Sequence, residues 1–385
     1  MSKWNIVREA FELDPAVTHF AAMSLVAHPA VLKWEIDSHR NALNRWPLMH
    51  VSTQFPVAEE AAFEAVATYF CADASSIALT GSTTMGLAQV LGGVAVAPHQ
   101  EILTSTADHS STLDTLELRK RRDGTAYRTF RLYKQGSTAT AAEIVDNVRA
   151  AIRPETRLLS LAWVYSSDGL KIPVRNIAKV VKAENACRHD PSERLLFSID
   201  GVHGFGVEDS TFDALGCDLF IAGCHKWVFG PRGTAIICGR PEAWEQVVPI
   251  VATFSARTKG PGRLHTPGGV HAYEHTLSLA TSFHFLSALG KPSVYKRVRQ
   301  LVERLRAGLT QRGMLIETPA AAQLSSGIVC FRHPEEEPTV TVRRLTDNKI
   351  HITESPEDPS GARHARVSVA IFNNEEDIDR LVNTL

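Results

Sequence analysis

The chain has 385 residues and a mass of 42.2 kDa, more than twice an ordinary single domain, so one large α/β unit with an appendage, or two domains, is expected. Hydrophobic residues make up 44% and charged residues 22%, which excludes a disordered chain, a collagen-like repeat and a disulfide-stapled miniprotein. Forty-one Lys+Arg against 42 Asp+Glu leave a formal charge of -1, which advertises neither nucleic acid nor an anionic membrane, and the expected partner is a small molecule.

The first dozen residues intersperse charges among the apolar ones and lack a small-residue cleavage site, so no signal peptide is read there. The longest apolar stretch, 91–98, is too short and too glycine-rich to span a bilayer. Six cysteines, Cys71, Cys187, Cys217, Cys224, Cys238 and Cys330, are scattered without paired short spacings; reduced thiols in a cytoplasmic enzyme are expected. Between about residues 57 and 239, β-like apolar runs at 77–80, 102–105, 127–133, 157–164, 195–200, 218–222 and 234–238 alternate with helix-like segments. This pattern predicts a mostly parallel seven-stranded sheet covered on both faces, with ligands beyond the carboxyl ends of the strands. Beyond about residue 276 the texture changes. Helices at 277–289 and 293–312, strands at 327–332, 351–353 and 366–370, and a helix from Asn374 predict a smaller α+β domain. The expected division is an amino-terminal arm at 1–20, a large domain at 21–265 and a small domain at 266–385.

Two strand ends carry the strongest chemical signal. Ser198-Ile199-Asp200-Gly201-Val202-His203 closes one strand, and Gly223-Cys224-His225-Lys226 closes the next. A carboxylate and an amine ending neighbouring buried strands are costly unless each has a partner. A cationic heterocycle held covalently by the amine supplies both, which describes pyridoxal 5'-phosphate: Lys226 forms the Schiff base and Asp200 keeps the pyridine nitrogen protonated. On these two residues alone, a structural Lys–Asp ion pair accounts for the pattern equally well.

The segment 198–233 resembles the active-site core of class V aminotransferase-family enzymes, the fold type I group that includes cysteine desulfurases, kynureninase and isopenicillin N epimerase. The pattern can be followed along most of the chain. The resemblance implies a phosphate cup at Thr80-Gly81-Ser82-Thr83-Thr84, where helix-start amides and hydroxyls suit a dianion, although such a turn alone is an ordinary helix cap. It also implies that His109 stacks on the pyridine face and that His225 donates to the phosphate. Ser166, where the family usually offers asparagine, and His203 would stand near the ring oxygen. Gly223 departs from the serine or threonine common in relatives, which puts one phosphate contact in doubt. Thr266, in His265-Thr266-Pro267-Gly268, matches a turn that reaches the neighbouring subunit's phosphate, implying a homodimer with shared sites. Arg366, in an Arg-x-Ser segment, would grip the substrate α-carboxylate with its guanidinium fork.

Rival motifs carry less. His271-x-x-Glu274-His275 spells a zinc-protease helix but has no third ligand, and Gly201 to Gly206 lack dinucleotide-binding spacing. No cysteine lies between Glu335 and Ala365, where desulfurases carry their nucleophile on a mobile loop, and Cys330 sits in an apolar strand, so persulfide chemistry is disfavoured. The Thr18-His19-Phe20-Ala21-Ala22-Met23-Ser24 start and the Ser166-Ser167-x-Gly169-Leu170-Lys171 segment look most like the isopenicillin N epimerase-like branch. The expectation is a homodimeric enzyme acting on an α-amino acid or amino-acid conjugate by lyase- or deaminase-type elimination. An aminotransferase, an epimerase or a decarboxylating oxidative deaminase on the same scaffold is the alternative. A catalytically silent cofactor-binding sensor is the rival from another class.

Overall fold

The computed structural model describes residues 2–254 and 260–385. Its centre is a seven-stranded sheet built from β1 (Ile77–Thr80), β2 (Glu101–Ser105), β3 (Ala126–Phe130), β4 (Thr156–Ala162), β5 (Leu196–Asp200), β6 (Leu219–Gly223) and β7 (Ala235–Gly239). The spatial order is β1-β7-β6-β5-β4-β2-β3, and all pairs are parallel except the two made by β7. Because β7 runs against both neighbours, β1 points the same way as β6, and six strands end on one edge of the sheet.

Alternate residues of each strand enter separate cores, the two-residue period of a strand acting on a sheet covered on both sides. Ala78, Ile102, Leu158, Leu196, Leu219, Ile221 and Ile237 pack with Leu87, Val90 and Leu91 of the helix Thr83–Gly93. Leu79, Leu103, Leu159, Phe197, Ile199, Phe220 and Ile236 face the larger core, which continues into the carboxyl-terminal region. Burial on both faces explains why the strands read as unbroken apolar runs rather than alternating ones.

Carboxyl-terminal to this sheet, β8 (Leu315–Ile316), β9 (Ile328–Arg332), β10 (Thr353–Glu354) and β11 (Ala365–Ser368) form an antiparallel sheet in the order β10-β11-β9-β8. It is accompanied by the helices Lys291–Gln311, Pro338–Asp347 and Glu375–Thr384, the last opened by a capping box from Asn374 to Asp377. Three local expectations change. The run 127–133 ends as a strand at Phe130, where Arg131 turns back to donate to the carbonyls of Tyr133 and Lys134. The segment 277–289 is interrupted at Ser278, between the helices Tyr273–Leu277 and Leu279–Leu289. The segment 351–353 is divided between two sheets: Ile350–His351 pairs in parallel with Thr18–His19, and the chain then crosses to β10. The helices Ala30–Arg45 and Pro47–Phe70 precede the sheet, and the second packs closely on Leu279–Leu289.

Close packing behind the strand ends depends on glycine. Gly206 has φ 94, and a Cβ there would lie 2.6 Å from the Trp227 carbonyl, one residue past Lys226. Gly233 has φ 79 with nothing within 4 Å of the same position. Gly206→Ala should therefore cost about 1–3 kcal/mol in backbone strain plus the clash. Gly233→Ala should cost the strain alone, so urea unfolding should place the midpoint of the Gly206 variant below that of the Gly233 variant.

Candidate active site

Five strand ends surround a cavity of about 700 Å³, a size suited to a cofactor with a small substrate. From β1 the chain passes through Gly81 to Ser82, whose hydroxyl accepts from the Met85 amide (3.1 Å) and caps the helix Thr83–Gly93. The end of β2 leads to Asp108 and His109, the end of β4 to Ser166, the end of β5 is Asp200 itself, and β6 leads to His225 and Lys226. Ser82, Thr83, His109, Ser166, Asp200, His203, His225 and Lys226 all line this one space.

The electrostatics decide between the two readings of Asp200 and Lys226. Among the described residues they make no ion pair; each senses the other only through space. Asp200 is buried and accepts one hydrogen bond, from the Val202 amide at 3.1 Å, and burial raises its pKa to about 6. Burial lowers the Lys226 pKa to about 8, with Arg366 contributing in the same direction. A buried carboxyl and a buried amine that face one cavity without touching are both left under-solvated, and a structural ion pair does not account for them.

Further polar atoms in the cavity wall are orphaned. Thr83 Oγ1, Ser167 Oγ and His203 Nδ1 are buried and, among the described residues, have no hydrogen-bond partner. Such groups are rare in folded proteins, and three around one cavity fit a polar occupant. Thr83 stands at the first turn of a helix, where free amides and the dipole favour a phosphate. Gly223 lies beside it: a Cβ there would come within 2.8 Å of both Thr83 Oγ1 and His225 Cε1. The missing side chain at Gly223 is thus the space that His225 and Thr83 occupy. Burial and Lys226 hold the His225 pKa down to about 4, so this imidazole is neutral at pH 7.

His109 caps the helix Ser110–Asp123, its Nδ1 accepting from the Ser111 amide at 3.1 Å. Nδ1 is therefore the acceptor, and in the neutral ring the proton sits on Nε2. Burial, Lys226 and Arg366 all lower its pKa. Arg366, on β11, approaches through Ser166 rather than lining the cavity itself. Its Nη1 donates to Ser166 Oγ (2.5 Å) and to the Ser166 carbonyl (3.1 Å), and its Nε donates to Thr353 (3.1 Å). It is buried and, among the described residues, has no carboxylate partner.

Thr266 is not brought into this cavity. Its hydroxyl accepts from the Leu79 amide at 3.1 Å, and it lines a separate 300 Å³ pocket with Gly81, Met85 and Gly233. In the zinc-like motif the helix starts only at Tyr273, so His271 precedes it, and Glu274 faces Arg40 at 3.6 Å. Sequence reasoning passed over Asp108, which accepts from Thr104 Oγ1 (2.8 Å), the Ser105 amide (2.9 Å) and the Ala162 amide (2.8 Å), tying β2 to β4 beneath His109. Its signal was an acid beside the strand-end histidine. Tyr165 and Ser167 carried no such signal.

The architecture and the cavity define a pyridoxal 5'-phosphate-dependent enzyme of fold type I. The chain belongs to the class-V aminotransferase family, whose model matches residues 27–381. It is 25% identical to the isopenicillin N epimerase of Streptomyces clavuligerus, over 100% of this chain and 98% of that protein. Identity to the isopenicillin N epimerase of Amycolatopsis lactamdurans is 27%, over 99% and 98%. Among solved structures, a variant of C-DES with glycine covalently linked to its pyridoxal phosphate superposes with a TM-score of 0.85 at 21% identity, covering 98% of each chain.

The lowered Lys226 pKa has a kinetic consequence, because an amine attacks an aldehyde only when neutral. Capture of pyridoxal 5'-phosphate by cofactor-free protein, followed by the absorbance of the bound cofactor, should quicken with rising pH and level off above about pH 8. An ordinary lysine would keep gaining towards its usual value of 10.5.

Proposed function

We propose that the chain is a homodimeric enzyme that eliminates a β-substituent from an α-amino acid or amino-acid conjugate, releasing ammonia and a keto acid. The observation that carries the amino-acid reading is Arg366, a buried guanidinium without a carboxylate partner among the described residues, close enough to Lys226 to lower that amine's pKa. A substrate α-carboxylate there gains a bidentate partner and holds Cα within reach of Lys226. When bound, pyridoxal 5'-phosphate supplies an electron sink for the charge left as a bond at Cα breaks.

In this reading Ser82, Thr83 and His225 hold the phosphate, Asp200 keeps the ring nitrogen protonated, His109 covers the ring face, and His203 with Ser166 stands at the ring oxygen. Lys226 holds the cofactor and then moves the Cα proton. With the substrate carboxylate held by Arg366, the Cα–H bond rather than the Cα–carboxylate bond would be left free for Lys226 to act on, which favours deprotonation over decarboxylation. Elimination breaks Cα–H and Cβ–X, the leaving group departs with the electron pair, and water releases the keto acid and ammonia. Cys330 is buried and its thiol is pushed up by burial, so the chain offers no nucleophilic thiol there for sulfur transfer. Epimerisation is the second reading, favoured by the two epimerase relatives.

The dimer is supported by an exposed apolar set, Trp34, Leu48, Met49 and Val57 among it, on the helices Ala30–Arg45 and Pro47–Phe70. In this reading Thr266, which lies outside its own chain's cavity, serves the neighbouring subunit's phosphate. All six cysteines are free thiols, which suits a cytoplasmic location, and among the described residues no helix is long and apolar enough to cross a membrane.

A mass-spectrometric time course in deuterated water tests the reaction type. The expected result with a cysteine conjugate is Cα hydrogen exchange with ammonia and keto acid released, without an amino acceptor. Inversion alone, dependence on a keto-acid acceptor, or carbon dioxide release with oxygen uptake would each replace elimination by another branch. For the shared site, mixing Thr266→Ala with Lys226→Ala protein should restore part of the activity through hybrid dimers. Confirmed subunit exchange with no activity regained would contradict it.

A further inference from the structure

One wall of the cavity has no part in holding the cofactor or the carboxylate. Pro356, Glu357 and Asp358 form it, on a loop between β10 and β11 that is closed by the Ser355 amide donating to the His364 carbonyl (2.8 Å) and the Asp358 amide donating to the Ala362 carbonyl (2.8 Å). Asp358 is occupied in shaping the loop. Its Oδ1 accepts from the Ser360 amide (2.8 Å), the Ser360 hydroxyl (2.5 Å) and the Ala362 amide (3.1 Å), and its Oδ2 meets His364 Nε2 at 3.2 Å.

Glu357 is not occupied in this way. Its side chain is exposed, and among the described residues its ion partner is Arg363 at 3.2 Å, a guanidinium that also serves Glu354 at 3.3 Å. Two carboxylates on one arginine leave the rim with net negative charge. Lys226 and Arg366 are committed to the cofactor and the carboxylate, and His225 is held neutral by burial and Lys226. Ser167, 3% exposed and given no part in holding the cofactor or the carboxylate, lines the same cavity with a hydroxyl that has no hydrogen-bond partner among the described residues.

We propose that Glu357 determines side-chain specificity, selecting α-amino acids or conjugates whose side chain carries a cationic nitrogen. The substrate then lies with its carboxylate at the Ser166 and Arg366 side of the site and its distal cation at Glu357. This assignment rests on the amino-acid reading of the site and deepens it. A partly exposed carboxylate–ammonium contact is worth about fivefold in affinity.

The test uses the cofactor-loaded, full-length protein and two analogues of matched shape, S-(2-aminoethyl)-L-cysteine and S-propyl-L-cysteine, titrated by the change in cofactor absorbance on binding. The cationic analogue should bind about fivefold more tightly. Glu357→Gln should erase that preference, and Glu357→Lys should reverse it. Equal binding of the pair, or a preference that survives Glu357→Gln, overturns the assignment of Glu357 and leaves the amino-acid reading standing. Absence of any spectral response to either analogue overturns that reading and the assignment with it.

Discussion

A carboxyl and an amine that end neighbouring parallel strands and do not touch are the constraint around which this molecule is arranged. Asp200 and Lys226 line one cavity, and each has its charged form disfavoured by burial. Were they a closed ion pair, each would satisfy the other. Held apart, they leave room for a group that presents a cationic ring nitrogen to one and an aldehyde to the other. The sheet sets this separation, since β5 and β6 are adjacent and parallel and both end on the edge facing the cavity.

The remaining features follow from closing and polarising that edge of the sheet. Glycines behind the strand ends let aromatic rings close over them: a Cβ at Gly201 would overlap the Phe220 ring at 2.0 Å, and one at Gly204 would meet Trp163 at 2.3 Å. Asp108 joins the ends of β2 and β4 beneath His109, accepting three hydrogen bonds while burial raises its pKa to about 7. The small domain contributes Arg366 from β11, whose hydrogen bonds to Ser166 join the two sheets at the site.

Much of this was legible in the sequence because its signals are local. Two-sided burial makes the inner strands of the large sheet short apolar runs, and strand-end polar residues such as Asp200 and Lys226 stand out against them. The helix from Asn374 was legible for the same reason, as a cap followed by acids in the first turn. Features that depend on non-local pairing were not legible. The split at Ile352 depends on which strands Thr18–His19 and Ala365–Ser368 offer as partners. Pro56, inside the helix Pro47–Phe70, obscured that helix, because proline normally marks a helix end. The link between Gly223 and His225 is a matter of volume: a residue missing from a motif is read as a lost contact until the neighbour filling its space is seen. Glu357 and Tyr165 enter the cavity through tertiary approach, which no spacing encodes.

The most direct measurement is reduction of the cofactor-loaded protein with borohydride, followed by peptide mapping. The account predicts a single pyridoxyl group on Lys226, and its absence from Asp200→Ala protein that has failed to retain cofactor. A label on any other lysine, or protein that stays colourless after incubation with pyridoxal 5'-phosphate, would contradict it.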